Sequence, residues 1–323
     1  MIPEKQLRCS IVIRCCNEEK HIGKLLSGLK MQTVKDYEVI LVDSGSTDRT
    51  IEIAKSHSVK VFSITREEFS FGRSLNLGCR QCKGEFIVIL SAHTYPIYPN
   101  FLEELLKPFQ DPKVGLVYGR QKGNETTKYS EHQVFAKWFP EISNLQQKQP
   151  FCNNANAAVR KTFWEEMPYN EHLMGLEDLD WAKRLLEKGY HLAYNADAEI
   201  VHVHEETPYQ IYNRYCREAI AMQEIIPDQK FIFFDFCRLW VTNILSDYKH
   251  AWQEKVLLKN GFDILRFRFL QFWGTYRGFS QGGAVTKTLR QTYYYPRSKI
   301  KPASNGTKQL QPINYQEIAE KFN

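Results

Sequence analysis

The chain has 323 residues, of which 43% are hydrophobic, 25% charged and 13% aromatic, a composition that excludes a disordered or fibrous protein and suffices for a large buried core. Its formal charge is only +6, with a pI of about 8.7, which by itself excludes little. The placement is more telling: residues 255–301 hold ten basic side chains against the single acid Asp263, a net +9, so the remainder is mildly acidic.

Residues 1–8 are polar and run straight into Ile11-Val12-Ile13, without the basic and apolar regions of a signal peptide. The longest apolar runs, such as 86–90, fall far short of the roughly 20 residues of a membrane span. These features place the chain in the cytoplasm. A buried strand is expected at 7–14, then a helix at 19–32 that brings Ile22, Leu25, Leu26 and Leu29 to one face. A strand at 37–42 leads through the turn Asp43-Ser44-Gly45-Ser46-Thr47-Asp48 into a helix at 49–56. Strands at 59–64 and 86–90 flank a helix at 73–81. This alternation is that of an α/β fold with a mostly parallel sheet, helices on both faces and right-handed crossovers.

Further strands are expected at 114–119, 153–160, 190–194 and 199–204, with a helix at 177–188 whose Leu179, Ala182, Leu185 and Leu186 point inward. After Pro208 the pattern is helical. The expected organisation is a domain over 1–206, a helical, basic and aromatic region over 207–302, and a polar tail over 303–323. Eight cysteines in a chain of this size do not suggest a disulfide framework, and Cys79-x-x-Cys82 lacks the second pair of a zinc site, so a structural role is expected for it.

Ligands of parallel sheets bind outside the carboxyl ends of the strands, here 14–19, 43–48, 65–72 and 91–95. A carboxylate such as Asp43, beside a Gly/Ser turn and a helix N-terminus, can accept hydrogen bonds from a nucleobase or ribose while backbone N–H groups face phosphate. Asp48 reads as a helix cap.

Ser10-Ile-Val-Ile with Cys16-Asn17-Glu18-Glu19, and then Glu38-Val-Ile-Leu-Val-Asp43-Ser-Gly-Ser-Thr-Asp48, resemble the nucleotide-binding half of the family 2 glycosyltransferases with the GT-A fold. Gly175-Leu-Glu177-Asp178-Leu-Asp180-Trp181 resembles that family's Glu-Asp acceptor motif, and the matches span roughly residues 8 to 205. The resemblance implies an inverting glycosyltransferase of bacterial surface-polysaccharide type, with a nucleotide-sugar donor and a glycan or lipid-linked acceptor. Asp178 is then the general base, Glu177 and Asn154 acceptor contacts, and Arg14, Asn17, Glu19, Asp43, Ser44, Arg73, Asn76, Ser91 and His93 the donor side. A helix N-terminus is expected to keep Asp178 ionised.

One departure stands out. Where the family carries Asp-x-Asp for Mg²⁺ or Mn²⁺, this chain has Ser91-Ala92-His93. Hard cations prefer oxygen, whereas imidazole suits transition metals, so His93 and His204 are candidates for a metal such as Mn²⁺. A metal-independent site in which these histidines and nearby Arg or Lys hold the diphosphate stays equally open. The interleaved run Arg266-Phe-Arg-Phe-Leu-Gln-Phe-Trp273-Gly-Thr-Tyr276-Arg277 within 255–301 suggests peripheral contact with anionic lipid on the inner face of a membrane, or else a helical subdomain with its aromatics inward. Nucleic acid is not expected, because no binding module precedes the basic stretch. Two rivals are a nucleotidyltransferase, against which the acidic Asn17-Glu18-Glu19 loop argues, and a catalytically impaired binding or scaffold protein, suggested by the missing acidic pair.

Overall fold

The computed structural model describes residues 7–281. In its first part, β1 (Cys9–Cys15), α1 (Ile22–Lys30), β2 (Tyr37–Asp43), α2 (Thr50–Lys55), β3 (Lys60–Ser63), α3 (Phe71–Cys79) and β4 (Phe86–Ser91) alternate as the periodicity requires. The four strands pair in parallel in the order β3-β2-β1-β4. Such strands are buried on both faces. Along β1, Cys9, Ile11, Ile13 and Cys15 pack with Ile22, Leu25, Leu26 and Leu29 of α1, while Val12 packs on the opposite side with Leu75 and Cys79 of α3.

The sheet continues through β5 (Thr94–Pro96), α4 (Phe101–Leu106), β6 (Val114–Lys122), α5 (Tyr129–Trp138), β7 (Asn144–Gln147), β8 (Asn156–Arg160), α6 (Lys161–Glu166), α7 (Glu177–Glu187) and β9 (His191–His202). β8 inserts antiparallel between β4 and β6, β9 runs parallel to β6, and the short strands β5 and β7 add antiparallel to β9. The two strands expected at 190–194 and 199–204 are therefore one, interrupted by a register shift between the Gly119/Asn195 and Gln121/Ile200 pairs. Gly119 makes the shift possible, since a Cβ there would collide with the Ala198 carbonyl and come within 2.5 Å of Asn156 Nδ2. The buried Asn156 amide takes up the carbonyls released by the irregularity, donating to Ala198 O at 2.9 Å and Arg120 O at 3.1 Å. Cys79 and Cys82 are core residues, and burial above all pushes the Cys82 thiol up to about 12.

The described residues form two units, one of 7–127 and 134–204 that contains the sheet, the other of 128–133 and 205–281. The second consists of the first turn of α5 with α8 (Pro208–Ile225), α9 (Phe233–Gln253) and α10 (Leu257–Ser280). Gly274 and Gly278, one turn apart, let α10 lie directly on α8, where a Cβ would meet the backbone of Tyr212 and Cys216. Ion pairs knit this unit: partly buried Arg214 bonds Glu131 and Glu206, both at 2.6 Å, and buried Arg268 bonds Asp247 at 2.7 and 2.9 Å. The expectation for the Arg-aromatic run is thereby corrected at Arg268, which serves the interior because Asp247 is there to neutralise it. Conversely Leu258, Phe262, Leu265 and Phe269, at one-face spacing on α10, are exposed. No described helix is long and apolar enough to cross a membrane. The part of the basic segment beyond residue 281 and the expected tail at 303–323 lie outside the described residues.

Candidate active site

Strand register brings the expected segments together at one edge of the sheet. Cys15 pairs with Asp43, Arg14 with Ser91, and Leu90 with Asn156, so the ends of β2, β1, β4 and β8 lie side by side. The loop after β1 and the loop after β2 are sewn to each other: Asn17 N donates to Ser46 Oγ at 2.9 Å, and Thr47 N donates to Asn17 Oδ1 at 2.7 Å. Asn17 adopts φ 57°, which asparagine tolerates better than most side chains. Asp43 is buried and organises its own turn, accepting from Gly45 N, Ser46 N and Ser46 Oγ at 2.5–3.2 Å. Ser44 Oγ points inward to Cys15 O. Glu19 accepts from Arg49 N at 3.0 Å and thus closes the first turn of α2, together with Asp48, which accepts from Thr50 N at 3.0 Å. Burial works against ionisation of Asp48, but bonds from the Thr50 hydroxyl and from the Thr50 and Glu19 amides outweigh it and hold the carboxyl low.

Asp178 and Glu177 open α7, preceded by Leu176 in the strained left-handed region at φ 54°. Both carboxyls are buried. Asp178 accepts from Asn154 N at 3.1 Å and Leu179 N at 2.8 Å, while Arg14 reaches from β1 to Glu177 Oε1 at 3.1 Å. The end of the first strand therefore touches the acidic pair 163 positions further on. The expectation that the helix N-terminus keeps Asp178 ionised is corrected: burial above all, and then the Glu177 charge, raise its proton affinity to about 7, against the opposing amides of Asn154 and Leu179 and the Arg14 charge. Asn154 Nδ2 lies 3.4 Å from Glu177 Oε1, and Asn154 Oδ1 is buried with no partner among the described residues.

His93 follows β4 and is tied to the end of β9 by a Val203 N to His93 O bond of 3.0 Å. One ring nitrogen from each of His93, His202 and His204 lies within 4.8 Å of the other two. The His93 and His202 rings stack at 5.1 Å, and His202 Nε2 and His204 Nε2 are 2.9 Å apart. His93 Nδ1 meets Glu18 Oε1 at 2.7 Å, and His202 Nδ1 meets Gln121 Oε1 at 2.8 Å. The expected pair His93 and His204 is thus a trio. The alternation of Val201-His202-Val203-His204 signalled the third member, but neither Glu18 nor Gln121 carried any signal of its partner.

Two expected donor residues are engaged by the fold itself. Asn76 is 1% exposed and uses its whole amide on the fold, donating to Tyr169 O and Glu171 Oε1 and accepting from Trp164 Nε1 and Tyr169 N at 2.9–3.1 Å. Arg73 is held by Glu171 at 3.0 Å and by Glu68 O. Their positions after the third strand's loop suited a donor contact, but the 169–171 segment, remote in sequence, supplies better partners.

The family model for glycosyl transferase family 2 matches residues 10–167. The O-antigen chain rhamnosyltransferase RfbN of Salmonella typhimurium is 27% identical over 222 residues, which cover 65% of this chain and 70% of that protein. The O-antigen chain rhamnosyltransferase WbaN of Salmonella anatum is 32% identical over 195 residues, covering 57% of this chain and 62% of the relative. Among solved structures, the mannosyltransferase PcManGT from Pyrobaculum calidifontis, in complex with GDP-Man and Mn²⁺, superposes with a TM-score of 0.55 at 18% identity over 92% of this chain and 89% of its own, a likeness of fold.

Proposed function

The chain belongs to glycosyl transferase family 2 and is a glycosyltransferase, and from that premise we propose that it moves a sugar with inversion from a nucleotide-sugar donor to a glycan acceptor in the assembly of a surface polysaccharide, an O-antigen or a related glycan. The observation that carries this reading is Asp178, a buried carboxyl with raised proton affinity at the same sheet edge as His93 and the 43–48 turn. In the proposed step Asp178 accepts the proton of the acceptor hydroxyl as that oxygen bonds to the anomeric carbon, and the nucleoside diphosphate departs from the opposite face. Glu177 and the Asn154 amide oxygen orient the acceptor, and Arg14 steadies Glu177. Asn17 and Asp43 shape the turn that takes the nucleoside, with Ser91 and His93 beside the diphosphate. A divalent cation held by His93, His202 and His204 would offset the charge that develops on the leaving diphosphate.

The exposed row Leu258, Phe262, Leu265 and Phe269, beside Lys255, Lys259 and Arg266, supports peripheral contact with an anionic lipid surface that presents the acceptor at the cytoplasmic face. The central test is a panel of UDP-, GDP- and TDP-linked sugars, rhamnose among them, read by thermal shift and by donor hydrolysis with and without EDTA. At least one donor should raise the melting temperature. If no nucleotide or nucleotide sugar does so in either condition, the reading fails.

A further inference from the structure

We propose that His93, His202 and His204 form a nitrogen-only cation site that takes a transition metal in preference to Mg²⁺, with Glu18 and Gln121 as its outer partners. Binding of the cation stands on these side chains alone, while its action on a diphosphate rests on the glycosyltransferase reading above.

The chemistry of the donor set decides the preference. Mg²⁺ demands near-ideal octahedral oxygen ligation and sheds water reluctantly, and three imidazoles offer it nothing it favours. Zn²⁺, Co²⁺ and Mn²⁺ accept imidazole, with affinity rising in the usual first-row order from Mn²⁺ through Co²⁺. The carboxylate at the Asp-x-Asp position is what would have suited a hard cation, and Ser91-Ala92-His93 stands in its place. Glu18 engages His93 through Nδ1 at 2.7 Å.

That contact has the form of an outer-shell partner. A carboxylate only accepts, so His93 donates from Nδ1, and a neutral ring that donates there carries its lone pair on Nε2. Gln121 Oε1 does the same for His202, whose Nε2 faces Nε2 of His204 at 2.9 Å. Ligating histidines are fixed in just this manner, by an oxygen on the nitrogen that does not bind metal. The scaffold is rigid as well. Thr94 pairs with His202 across β5 and β9, and Val203 N bonds His93 O, so two of the rings stand on adjacent, hydrogen-bonded backbones.

The test uses the full chain, stripped with a chelator, dialysed, and titrated with Co²⁺ alone while visible absorption is followed. Equilibrium dialysis against Zn²⁺, Mn²⁺ and Mg²⁺ separately gives stoichiometry. One equivalent of Co²⁺ or Zn²⁺ should bind, and a thousandfold excess of Mg²⁺ should leave the Co²⁺ band unchanged. Glu18→Gln should weaken Zn²⁺ roughly 10- to 100-fold at unaltered stoichiometry and melting temperature, and His202→Ala more than that. Because His202→Ala removes a buried ring, His93→Asp provides a second variant: with an oxygen ligand restored, Mn²⁺ and Mg²⁺ should gain on Zn²⁺ by at least tenfold. The proposal is overturned if Mg²⁺ displaces Co²⁺ at comparable concentration, or if the histidine variants bind as tightly as the parent chain. Sugar transfer by a chain that binds neither Co²⁺ nor Zn²⁺ would overturn the site and spare the transferase reading. Cation binding without a response to any nucleotide sugar would do the reverse.

Discussion

Replacing Asp178 by Asn should abolish transfer and, at the same time, stabilise the protein at alkaline pH. The folded carboxyl is raised from 3.8 to about 7, first by burial and then by the charge of Glu177. A carboxyl raised in the folded state favours folding while it is protonated in that state. Its contribution is complete below the unfolded value of about 4 and is lost as the pH climbs through about 7. A shift of about three pH units at ~1.4 kcal/mol each sets the cost of the ionised group at roughly 4 kcal/mol at pH 8, as an upper bound. Asn removes that charge but presents an NH₂ to one of the two amide donors, Asn154 N or Leu179 N, at a cost of about 1–2 kcal/mol. The net expectation is a gain on the order of 2 kcal/mol at pH 8 and no gain at pH 4.5. Urea titrations of both chains at the two pH values measure it directly. The parent chain should also lose stability between about pH 4 and 7 along a slope that D178N lacks, and its kcat/KM should rise through about pH 7, while turnover of D178N falls by about 10²–10⁴. If D178N is no more stable than its parent at pH 8, the carboxyl is not desolvated in the way the fold implies, and its role as a poised base loses its physical support.

Asn76→Ala should cost on the order of 3 kcal/mol in urea unfolding, since it strips four hydrogen bonds, three of them buried, and leave nucleotide affinity within twofold; a tenfold loss of affinity at unchanged stability would return Asn76 to the donor site. Arg268→Met should destabilise by about 3–5 kcal/mol because it leaves Asp247 charged and buried, and Asp247→Leu added to it should recover much of that loss. Leu258→Ser with Phe262→Ser should leave the melting temperature within a degree or two and reduce co-sedimentation with phosphatidylglycerol vesicles by at least several-fold; equal sedimentation would remove α10 as the contact.

The alternation of strand and helix was legible because each element announces itself within a dozen residues. Ile22, Leu25, Leu26 and Leu29 fall on one helical face whatever surrounds them, and the core cluster of α1 is those same four side chains. Elements that exist only because a neighbour supplies an edge were not legible. β5 is three residues long and β7 has four, largely exposed, and each forms by pairing with β9. β9 itself was divided in two because its irregular stretch has no period, and it is held through by Gly119 on β6 and by Asn156 on β8.

The same distinction governs the site. Positions after strand ends were readable, since topology alone sends Asp43, Ser91 and His93 to one edge of the sheet. What each side chain does there depends on a second residue that can be far away in the chain, and no local pattern names it. Asn76 was assigned to a ligand because a polar residue near a strand end usually faces one, yet Glu171 and the carbonyl of Tyr169 claim it. Glu18 reads from the sequence only as part of an acidic loop, because its partner His93 stands 75 positions away. Asp178 lies in the first turn of α7 as its pattern requires, but its expected ionisation does not follow: the helix dipole acts within a turn and is worth about 0.3–1 kcal/mol at an exposed site, whereas desolvation beside a second carboxyl is worth several times that. A sequence motif therefore locates a carboxylate more securely than it assigns its protonation state, because location follows from the chain's own period and protonation from the company that the finished fold provides.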